Sequence, residues 1–278
     1  MAAITAAEVN KLRQMTGLGM MDCKKALTEA EGDFDLAVEI LRKQGQKIAA
    51  KRADNATSEG RVMVALSSDH RNGKLLAFAC ETEPVSNVDD FKNLSAELME
   101  TAVKIDATSA DDILAATTAE GNTVGEKITE FMGKVGEKLV ITDYAELSGD
   151  KVVAYIHSNN KVGVMVAFEE TNGADVDTIG KQIAMQIAAM KPVALDKSDV
   201  SQAIIDKEIE IAKDLARQEG KPEAMLEKIA AGRLNKFFKE STLLNQEFIM
   251  DGSKTVAQVL ESTQKGLKIS AFKRFQIG

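Results

Sequence analysis

The sequence predicts an α+β protein with an N-terminal three-helix module, two duplicated α+β core subdomains, and an antiparallel helical hairpin inserted into the second. Three observations favour this fold class. At 278 residues the chain is longer than a single hydrophobic core usually serves. A strand–turn–strand pattern occurs twice along it. A stretch beginning near residue 199 shows only helical periodicity.

The N-terminal segment predicts three short helices. Thr5 and Glu8 have the spacing of a capping box, in which the hydroxyl accepts from a backbone amide and the carboxylate reaches back. Gly17 ends this helix because glycine adopts left-handed dihedral angles at little cost. Asp22 is predicted to cap the second helix and Asp33 the third.

The middle of the chain contains an internal duplication. Residues 61–66 and 75–80 form the first strand–turn–strand pattern, and residues 152–157 and 162–168 form the second. Each pattern is followed by acidic residues and then by a helical pattern. Because the same order of elements appears twice, we interpret this region as two related α+β subdomains.

A purely helical region follows. Apolar residues recur at helical spacing from residue 199 to about 238, and Gly220 and Pro222 interrupt them near the middle. This pattern predicts an antiparallel helical hairpin. The chain then returns to a helix at 255–260 and a strand at 269–275, so the hairpin interrupts the second subdomain.

The linker and the domain boundaries follow from composition. Residues 49–60 are rich in Ala, Asn, Ser and charged residues and are predicted to link the first helices to the core. The predicted organisation is a three-helix module at 1–54, a first core subdomain at 55–145, and a second core subdomain at 146–278 that is interrupted by the hairpin at about 199–240.

Composition argues against several classes of function. Lys and Arg number 35 against 43 Asp and Glu, a net charge of −8, whereas a protein that grips many phosphates is normally basic. Direct nucleic-acid binding is therefore not expected. No stretch approaches the roughly 20 apolar residues of a membrane helix, and the N-terminus has no signal-peptide pattern. Cys23 and Cys80 lack metal-ligand spacing, so we expect no metal or cofactor and a reducing, cytoplasmic location.

A search for catalytic residues points away from enzyme chemistry. The chain has two histidines, His70 in a polar turn and His157 at a strand end. Glu81 and Glu83 are predicted to be neighbours on one strand face, without a clear partner group. No zinc-protease, P-loop or dinucleotide-binding motif is present. We therefore predict a protein that acts by binding another protein.

Two segments have the features of contact surfaces. Met20 and Met21 lie at a predicted tight turn, where flexible methionine side chains can adapt to a partner. Packing of these methionines into the small helical core is the alternative, at about even weight. The tetrapeptide Thr82-Glu83-Pro84-Val85 leaves a buried strand, and Pro84 restricts its backbone, so we predict a rigid projecting turn.

The N-terminal module resembles that of bacterial elongation factor Ts. The resemblance is carried by residues 16–27, which read TGLGMMDCKKAL. It continues in the same order through Gly32-Asp33, the doubled hairpin, the run IAMQIAA at 183–189, and Gly220-Lys221-Pro222. Because it covers nearly the whole chain, the sequence is identified as a member of this family.

The resemblance implies guanine-nucleotide exchange on elongation factor Tu, the GTPase that delivers aminoacyl-tRNA. In the family, the three-helix module and the core grip the GTPase domain of Tu. A short turn after the first hairpin disturbs the Mg²⁺ site, and the second subdomain reaches another Tu domain. The implied contact residues are Leu18, Met20, Met21, Thr82, Glu83, Pro84, Val85 and, in the second subdomain, His157.

The sequence departs from the family in two places. The family's turn usually reads Thr-Asp-Phe-Val, with the Phe as a wedge, whereas Glu83 and Pro84 stand here. Either Pro84 is a smaller wedge, or exchange relies more on the N-terminal module. The chain ends at Gly278, soon after Phe275, so the C-terminal helical module of some members is not expected.

Two other functions are open at this stage. The three-helix module resembles ubiquitin-associated (UBA) domains, so the protein could be a general adaptor, although that leaves the duplicated core without a role. An enzyme would need a site around His157 or around Glu81 and Glu83. The apolar stripe of the hairpin also raises the alternative of a homodimer, beside that of a hairpin packed only on itself.

Overall fold

The computed structural model describes residues 4–278, in which the first three helices pack around a small core of their own. These helices are α1 (Ala6–Thr16), α2 (Met20–Glu29) and α3 (Phe34–Lys51). The capping box is confirmed, because Thr5 Oγ1 accepts from the Glu8 N–H at 3.3 Å and Glu8 accepts from the Thr5 N–H at 2.7 Å. The core residues of this module are Val9, Leu12, Cys23, Ala26, Leu27, Ala30, Ala37 and Leu41.

Two local predictions in this module are wrong. Helix α2 begins at Met20 with Gly19 as its N-cap, so Asp22 lies inside the first turn and does not cap the helix. The Gly19 carbonyl accepts from the N–H groups of Asp22 and Cys23. Helix α3 continues to Lys51 because its Lys, Gln and Ala residues favour helix. The segment between α3 and the first strand is therefore shorter than the predicted linker.

The first sheet has the strand order β1-β2-β3, with both pairings antiparallel. Strands β1 (Glu59–Leu66) and β2 (Asn72–Cys80) form the predicted hairpin. The third strand, β3 (Leu139–Ser148), was not predicted. Its apolar alternation is broken by Thr142 and Asp143, which are the residues that hide it in the sequence.

Helices cover one face of this sheet. They are α4 (Glu83–Asn87), α5 (Asp89–Lys104), α6 (Ala110–Ala115) and α7 (Val124–Val135). The projecting turn predicted at 82–85 is wrong, because these residues begin helix α4, with proline in its first turn where no hydrogen bond is lost. The core between sheet and helices includes Phe78 and Phe91, stacked with ring centroids 4.9 Å apart, and Leu98, Ile113 and Ile128.

The second sheet has the order β4-β5-β8 and is also antiparallel. Strands β4 (Lys151–Ile156) and β5 (Val162–Glu169) form the second hairpin, and β8 (Lys268–Gln276) pairs with β5. Helix α8 (Asp177–Met190) packs on this sheet, with Ile183 and Ile187 fully buried. The α+β prediction is confirmed.

The chain between β5 and β8 contains two long helices, α9 (Gln202–Gln218) and α10 (Glu223–Ser241), that pack against each other. Ion pairs join them, Lys213 to Glu227 and Arg233 to Glu219. A parallel bridge between Ala194 and Thr242 closes the base of this pair. The strands and the α-helix between α10 and β8 are β6 (Glu247–Phe248), β7 (Asp251–Thr255) and α11 (Val256–Thr263).

The two hairpins contact each other in an equivalent way. The Val62 N–H of β1 donates to the Asn160 carbonyl in the second turn at 2.7 Å, and the Val152 N–H of β4 donates to the His70 carbonyl in the first turn at 2.6 Å. His70 and Asn160 share a left-handed φ of 57°. Each hairpin therefore donates an N–H group of its first strand to the turn of the other. Buried residues of both sheets form one cluster between the two sheets.

The three-helix module is attached to the core through a close crossing of α3 and α7. A Cβ atom on Gly45 would lie 2.9 Å from the Thr129 carbonyl oxygen, and one on Gly133 would lie 3.2 Å from the Gly45 Cα. Only glycine allows this approach of the two backbones. An ion pair between Arg42 and Glu130 lies beside it. No helix within residues 4–278 is long and apolar enough to cross a membrane.

Candidate partner-binding site

Helix α4 presents the candidate residues that follow the first hairpin. Thr82 is its N-cap, and the side chains of Glu83 and Pro84 are exposed. Val85 is half-buried and packs on the core between the first sheet and its helices. The segment is therefore anchored on one side by Val85 and offers Glu83 and Pro84 to a partner on the other.

Thr82 is held through its amide, its hydroxyl and its carbonyl. The Thr82 N–H donates to Glu137 Oε2 at 3.0 Å, and the Thr82 hydroxyl donates to Glu137 Oε1 at 2.6 Å. The Cys80 thiol donates to the Thr82 carbonyl at 3.3 Å. Burial, together with the charge of Glu137, raises the pKa of Cys80 to about 12, so the thiol stays a protonated donor. These contacts fix the start of α4.

Glu81 anchors the residue just before the helix. Its carboxylate accepts from Arg52 Nη1 at 2.7 Å, from Asn55 Nδ2 at 2.9 Å and from the Lys138 N–H at 2.6 Å. Burial alone would raise the pKa of Glu81, but these hydrogen bonds outweigh it and hold the pKa below its ordinary value of 4.5. The charged side chain of Glu81 therefore links the segment after α3 to the end of β2 through hydrogen bonds.

The prediction that Glu81 and Glu83 are neighbours on one strand face is wrong. Strand β2 ends at Cys80, so the alternation that would place both side chains on one strand face does not reach them. Glu81 is engaged with Arg52, whereas Glu83 is exposed in the first turn of α4. The two carboxylates do not form an acid–base pair.

The candidate residues of the three-helix module lie at the start of α2. The side chains of Met20 and Met21 are 50% and 62% exposed, so neither is a core residue. Leu18 is half-buried and packs on the core of the module. Gly17, which precedes it, adopts a left-handed φ of 67°, and Lys134 of α7 lies against it. Met20 and Met21 are thus exposed just after a loop that is anchored by Leu18 on the module core and by Lys134 beside Gly17.

Both histidines are on turns. His157 is exposed just beyond β4, and its Nδ1 is 2.8 Å from the hydroxyl of Tyr155. His70 lies in the equivalent turn of the first hairpin. Within residues 4–278, no group of three or more His, Cys, Asp or Glu side chains is arranged to hold a metal ion.

Two clefts lie beside helices α4 and α5. A cleft of about 310 Å³ is lined by Thr16, which precedes the Leu18 loop, and by Asp90 at the start of α5. A second cleft, of about 520 Å³, is lined by Glu83 of α4 and by residues 158–161, the turn that follows His157. Helices α4 and α5 therefore lie between the N-terminal module and the turn of the second hairpin.

Glu137 was missed by reasoning from the sequence. It lies 55 positions from Thr82, and no local spacing connects the two residues. One signal was available, since Thr82 has Val85 rather than an acidic residue three positions later. In such a helix no carboxylate three positions later can accept from the N–H of the cap residue, so an acceptor can come from elsewhere in the fold.

Comparison with known proteins places the chain in a family. The family described as "Elongation factor TS" matches residues 81–278. Elongation factor Ts of Cytophaga hutchinsonii is 58% identical over 277 residues, covering 100% of both chains. That of Amoebophilus asiaticus is 49% identical over 276 residues, covering 99% of each chain. That of Corynebacterium glutamicum is 42% identical over 283 residues, covering 100% of this chain and 99% of the other.

The alignments with these relatives extend beyond the residues that the family description matches. Because their alignments run over essentially the full length, they include the three-helix module and the strand β1, which precede residue 81. The resemblance of residues 16–27 is therefore part of one continuous similarity. The chain belongs to the elongation factor Ts family.

Proposed function

We propose that this protein is the guanine-nucleotide exchange factor of elongation factor Tu, acting in the cytoplasm during translation elongation. Family membership supports this role. The observation that carries the proposal at the residue level is helix α4, whose start is fixed by Glu137 while Glu83 and Pro84 remain exposed. A rigid segment with an exposed tip suits a protein that presses on a neighbour.

The proposed mechanism is displacement without covalent chemistry. Mg²⁺ requires nearly octahedral oxygen geometry and bridges the nucleotide phosphates, so a small movement of its surroundings weakens GDP binding. Glu83 and Pro84 would act from α4 on that region of Tu. Binding linkage is reciprocal, so GDP weakens the factor as much as the factor weakens GDP. Reloading of Tu with GTP then releases the factor.

Pro84 is the proposed wedge. It is exposed in the first turn of α4 and offers a compact apolar ring in place of the family's Phe. We propose to test it with Pro84→Phe, which the first turn of a helix accommodates. If the wedge acts by apolar volume, GDP release becomes faster in this variant. A slower release would show that the segment is adapted to a proline.

The remaining contacts are assigned by position. We infer that the three-helix module at 1–54 is UBA-like and binds the GTPase domain of Tu through Leu18, Met20 and Met21. The second core subdomain reaches another Tu domain near His157. We place the boundary between the core subdomains at 149–150 rather than after 145, because β3 continues to Ser148.

A second copy of the chain is the proposed partner of the helical hairpin, which we regard as an insertion between β5 and β8. Ala212 and Ala216 are buried on α9, whereas Ile204, Ile211 and Leu215 lie exposed along another stripe of the same helix. Exposed apolar stripes mark association surfaces. Sedimentation over a range of concentrations tests this proposal, and a protein that stays monomeric throughout would rule it out.

The exchange proposal is tested by linkage. Binding of the protein to nucleotide-free Tu is measured by calorimetry, then repeated with increasing GDP and Mg²⁺. The affinity should fall by at least about fivefold, the lower end of a typical coupling between sites. Affinity that does not change with GDP would show that the protein binds Tu without affecting its nucleotide.

A further inference from the structure

Four α-helices of this chain are closed by a reciprocal contact at a Thr or Ser N-cap, whereas α9, which begins after Ser201, has no such contact. The hydroxyl accepts from the N–H of the third helical residue, whose own side chain accepts from the N–H of the cap. The pairs that do so are Thr5 with Glu8, Ser109 with Asp112, Thr123 with Glu126, and Thr255 with Gln258.

Helix α4 lacks this local contact. Thr82 is its N-cap, but its hydroxyl makes no capping bond within the helix, and the third helical residue is Val85. The valine side chain cannot accept a hydrogen bond, and it is half-buried and packs on the core instead. The N–H of Thr82 would therefore be left without a local side-chain acceptor.

Glu137 supplies the missing carboxylate from a distant part of the chain. It accepts from the Thr82 N–H at 3.0 Å and from the Thr82 hydroxyl at 2.6 Å. In the local capping box of α1, Glu8 accepts from the N–H and the hydroxyl of Thr5, both at 2.7 Å. The same pair of donors is thus satisfied in both helices, but in α4 the acceptor comes from the end of α7.

The position of Glu137 is itself fixed. It follows Gly136, which ends α7 with a left-handed φ of 71°. The next residue, Lys138, donates its N–H to Glu81 at 2.6 Å, and its ammonium group donates to the Asn55 carbonyl at 3.1 Å. Consecutive residues after α7 therefore hold the consecutive residues that precede α4.

Helix α7 also carries the N-terminal module. Its Gly133 crosses Gly45 of α3 at close range, and its Lys134 forms an ion pair with Asp90 at the start of α5. The module that holds Met20 and Met21 and the segment that holds Pro84 are therefore both attached to the C-terminal half of one helix.

We propose that Glu137 is a positioning residue for nucleotide exchange, which completes the cap of α4 and holds Glu83 and Pro84 in place relative to the N-terminal module. The proposal rests on the proposed exchange function. Glu137 acts through Thr82, so its loss should loosen α4 without removing a surface of the partner contact. The signature is a lower maximal rate of GDP release with little change in the concentration of factor that gives half of it.

The test compares three variants. Glu137→Ala removes both acceptor oxygens, Glu137→Gln keeps one acceptor oxygen for the Thr82 N–H, and Gln258→Ala removes the equivalent acceptor from α11 as a matched control. Release of labelled GDP from Tu is followed over a range of factor concentrations, and thermal unfolding of each variant is recorded. Glu137→Ala should lower the maximal rate by roughly tenfold or more, as expected for loss of a charge-assisted hydrogen bond.

The expected order separates positioning from general stability. Glu137→Gln should recover part of the rate, and Gln258→Ala should match the unmodified protein even if its midpoint of unfolding falls as far as that of Glu137→Ala. Equal maximal rates for Glu137→Ala and the unmodified protein would overturn the proposal. So would a loss in Gln258→Ala as large as that in Glu137→Ala.

A measurement without Tu distinguishes failure of this inference from failure of the exchange function. Hydrogen–deuterium exchange of the free protein should rise in segment 82–88 of Glu137→Ala and stay unchanged in α11. If the unmodified protein does not accelerate GDP release, the proposed function is wrong, whatever the result for Glu137. If it does accelerate release and segment 82–88 is protected equally in both proteins, Glu137 does not position the helix.

Discussion

At the residue scale, the start of α4 depends on charged groups that are far apart in the sequence. Glu81 accepts hydrogen bonds from Arg52 and from the backbone of Lys138, while Glu137 accepts from Thr82. Hydrogen bonds to charged groups contribute more to stability than those between neutral groups. The exposed residues of α4 are therefore placed by buried or half-buried neighbours that a partner does not need to touch.

Glu81 makes a pH-dependent contribution to the free energy of unfolding. Because its pKa lies below 4.5 in the folded protein, its contribution to stability is complete above pH 4.5 and is lost as the pH falls through the folded value. Glu81→Gln should lower the free energy of unfolding by about 1.5–3 kcal/mol at pH 7, the range for hydrogen bonds to a charged group. The difference should shrink below pH 4.5. Urea unfolding at several pH values measures it, and a difference independent of pH would contradict the assignment.

Met20 and Met21 are expected to contribute to binding and not to folding. Both side chains are at least half exposed, so Met20→Ala with Met21→Ala should leave the midpoint of thermal unfolding nearly unchanged. Half-maximal GDP release should need roughly tenfold more factor, in keeping with the loss of a contact residue of average importance. Met225→Ala, at an exposed methionine of α10, is the matched control. An unchanged concentration dependence would remove the pair from the interface.

At the element scale, the attachment of the three-helix module depends on the crossing of α3 and α7. Gly45 is buried there, and the nearest atom to an added Cβ is a backbone oxygen that cannot turn away. The ion pairs around the crossing are partly exposed and add little. The close approach of the two helices is thus the main restraint on the orientation of the module.

Gly45→Ala is expected to disturb this crossing. Overpacking in a close contact costs about 1–3 kcal/mol, which exceeds the gain from better helix propensity. Gly232→Ala is the control, because Gly232 lies in α10 with open space around it and should gain roughly 0.5–1 kcal/mol. Chemical denaturation compares the two variants. Stabilisation of both to the same extent would show that α3 and α7 tolerate a wider separation.

The elements that could be predicted from sequence are those specified by local pattern. The hairpins at 61–80 and 152–168 alternate clearly, and the capping box at Thr5 marks its helix, so both were found. Strand β3 was missed because Thr142 and Asp143 interrupt its apolar residues. The local pattern at 82–85 predicts a turn and not helix α4, because the helix is only five residues long and is capped from elsewhere.

At the scale of the whole molecule, the candidate site is distributed over separate parts of the chain. The turn after β4 and helix α4 border one cleft, the end of α1 and the start of α5 border another, and α7 supports both α4 and the N-terminal module. The residues at these places could be recognised from sequence, since the exposed methionines stand in a family motif and Pro84 stands where the family's turn usually has Phe. Their mutual arrangement could not, because it depends on contacts such as Thr82 with Glu137 that span two elements.

The proposed exchange function is tested most directly by the release of fluorescent GDP from Tu in the presence of Mg²⁺. The protein is added over a range of concentrations, with excess unlabelled GDP to prevent rebinding. If it acts by binding Tu and displacing the surroundings of Mg²⁺, the release rate rises with concentration and saturates, while the protein itself remains chemically unchanged. A release rate that stays at the spontaneous value at all concentrations, with Tu shown to be active, would contradict the proposed exchange function.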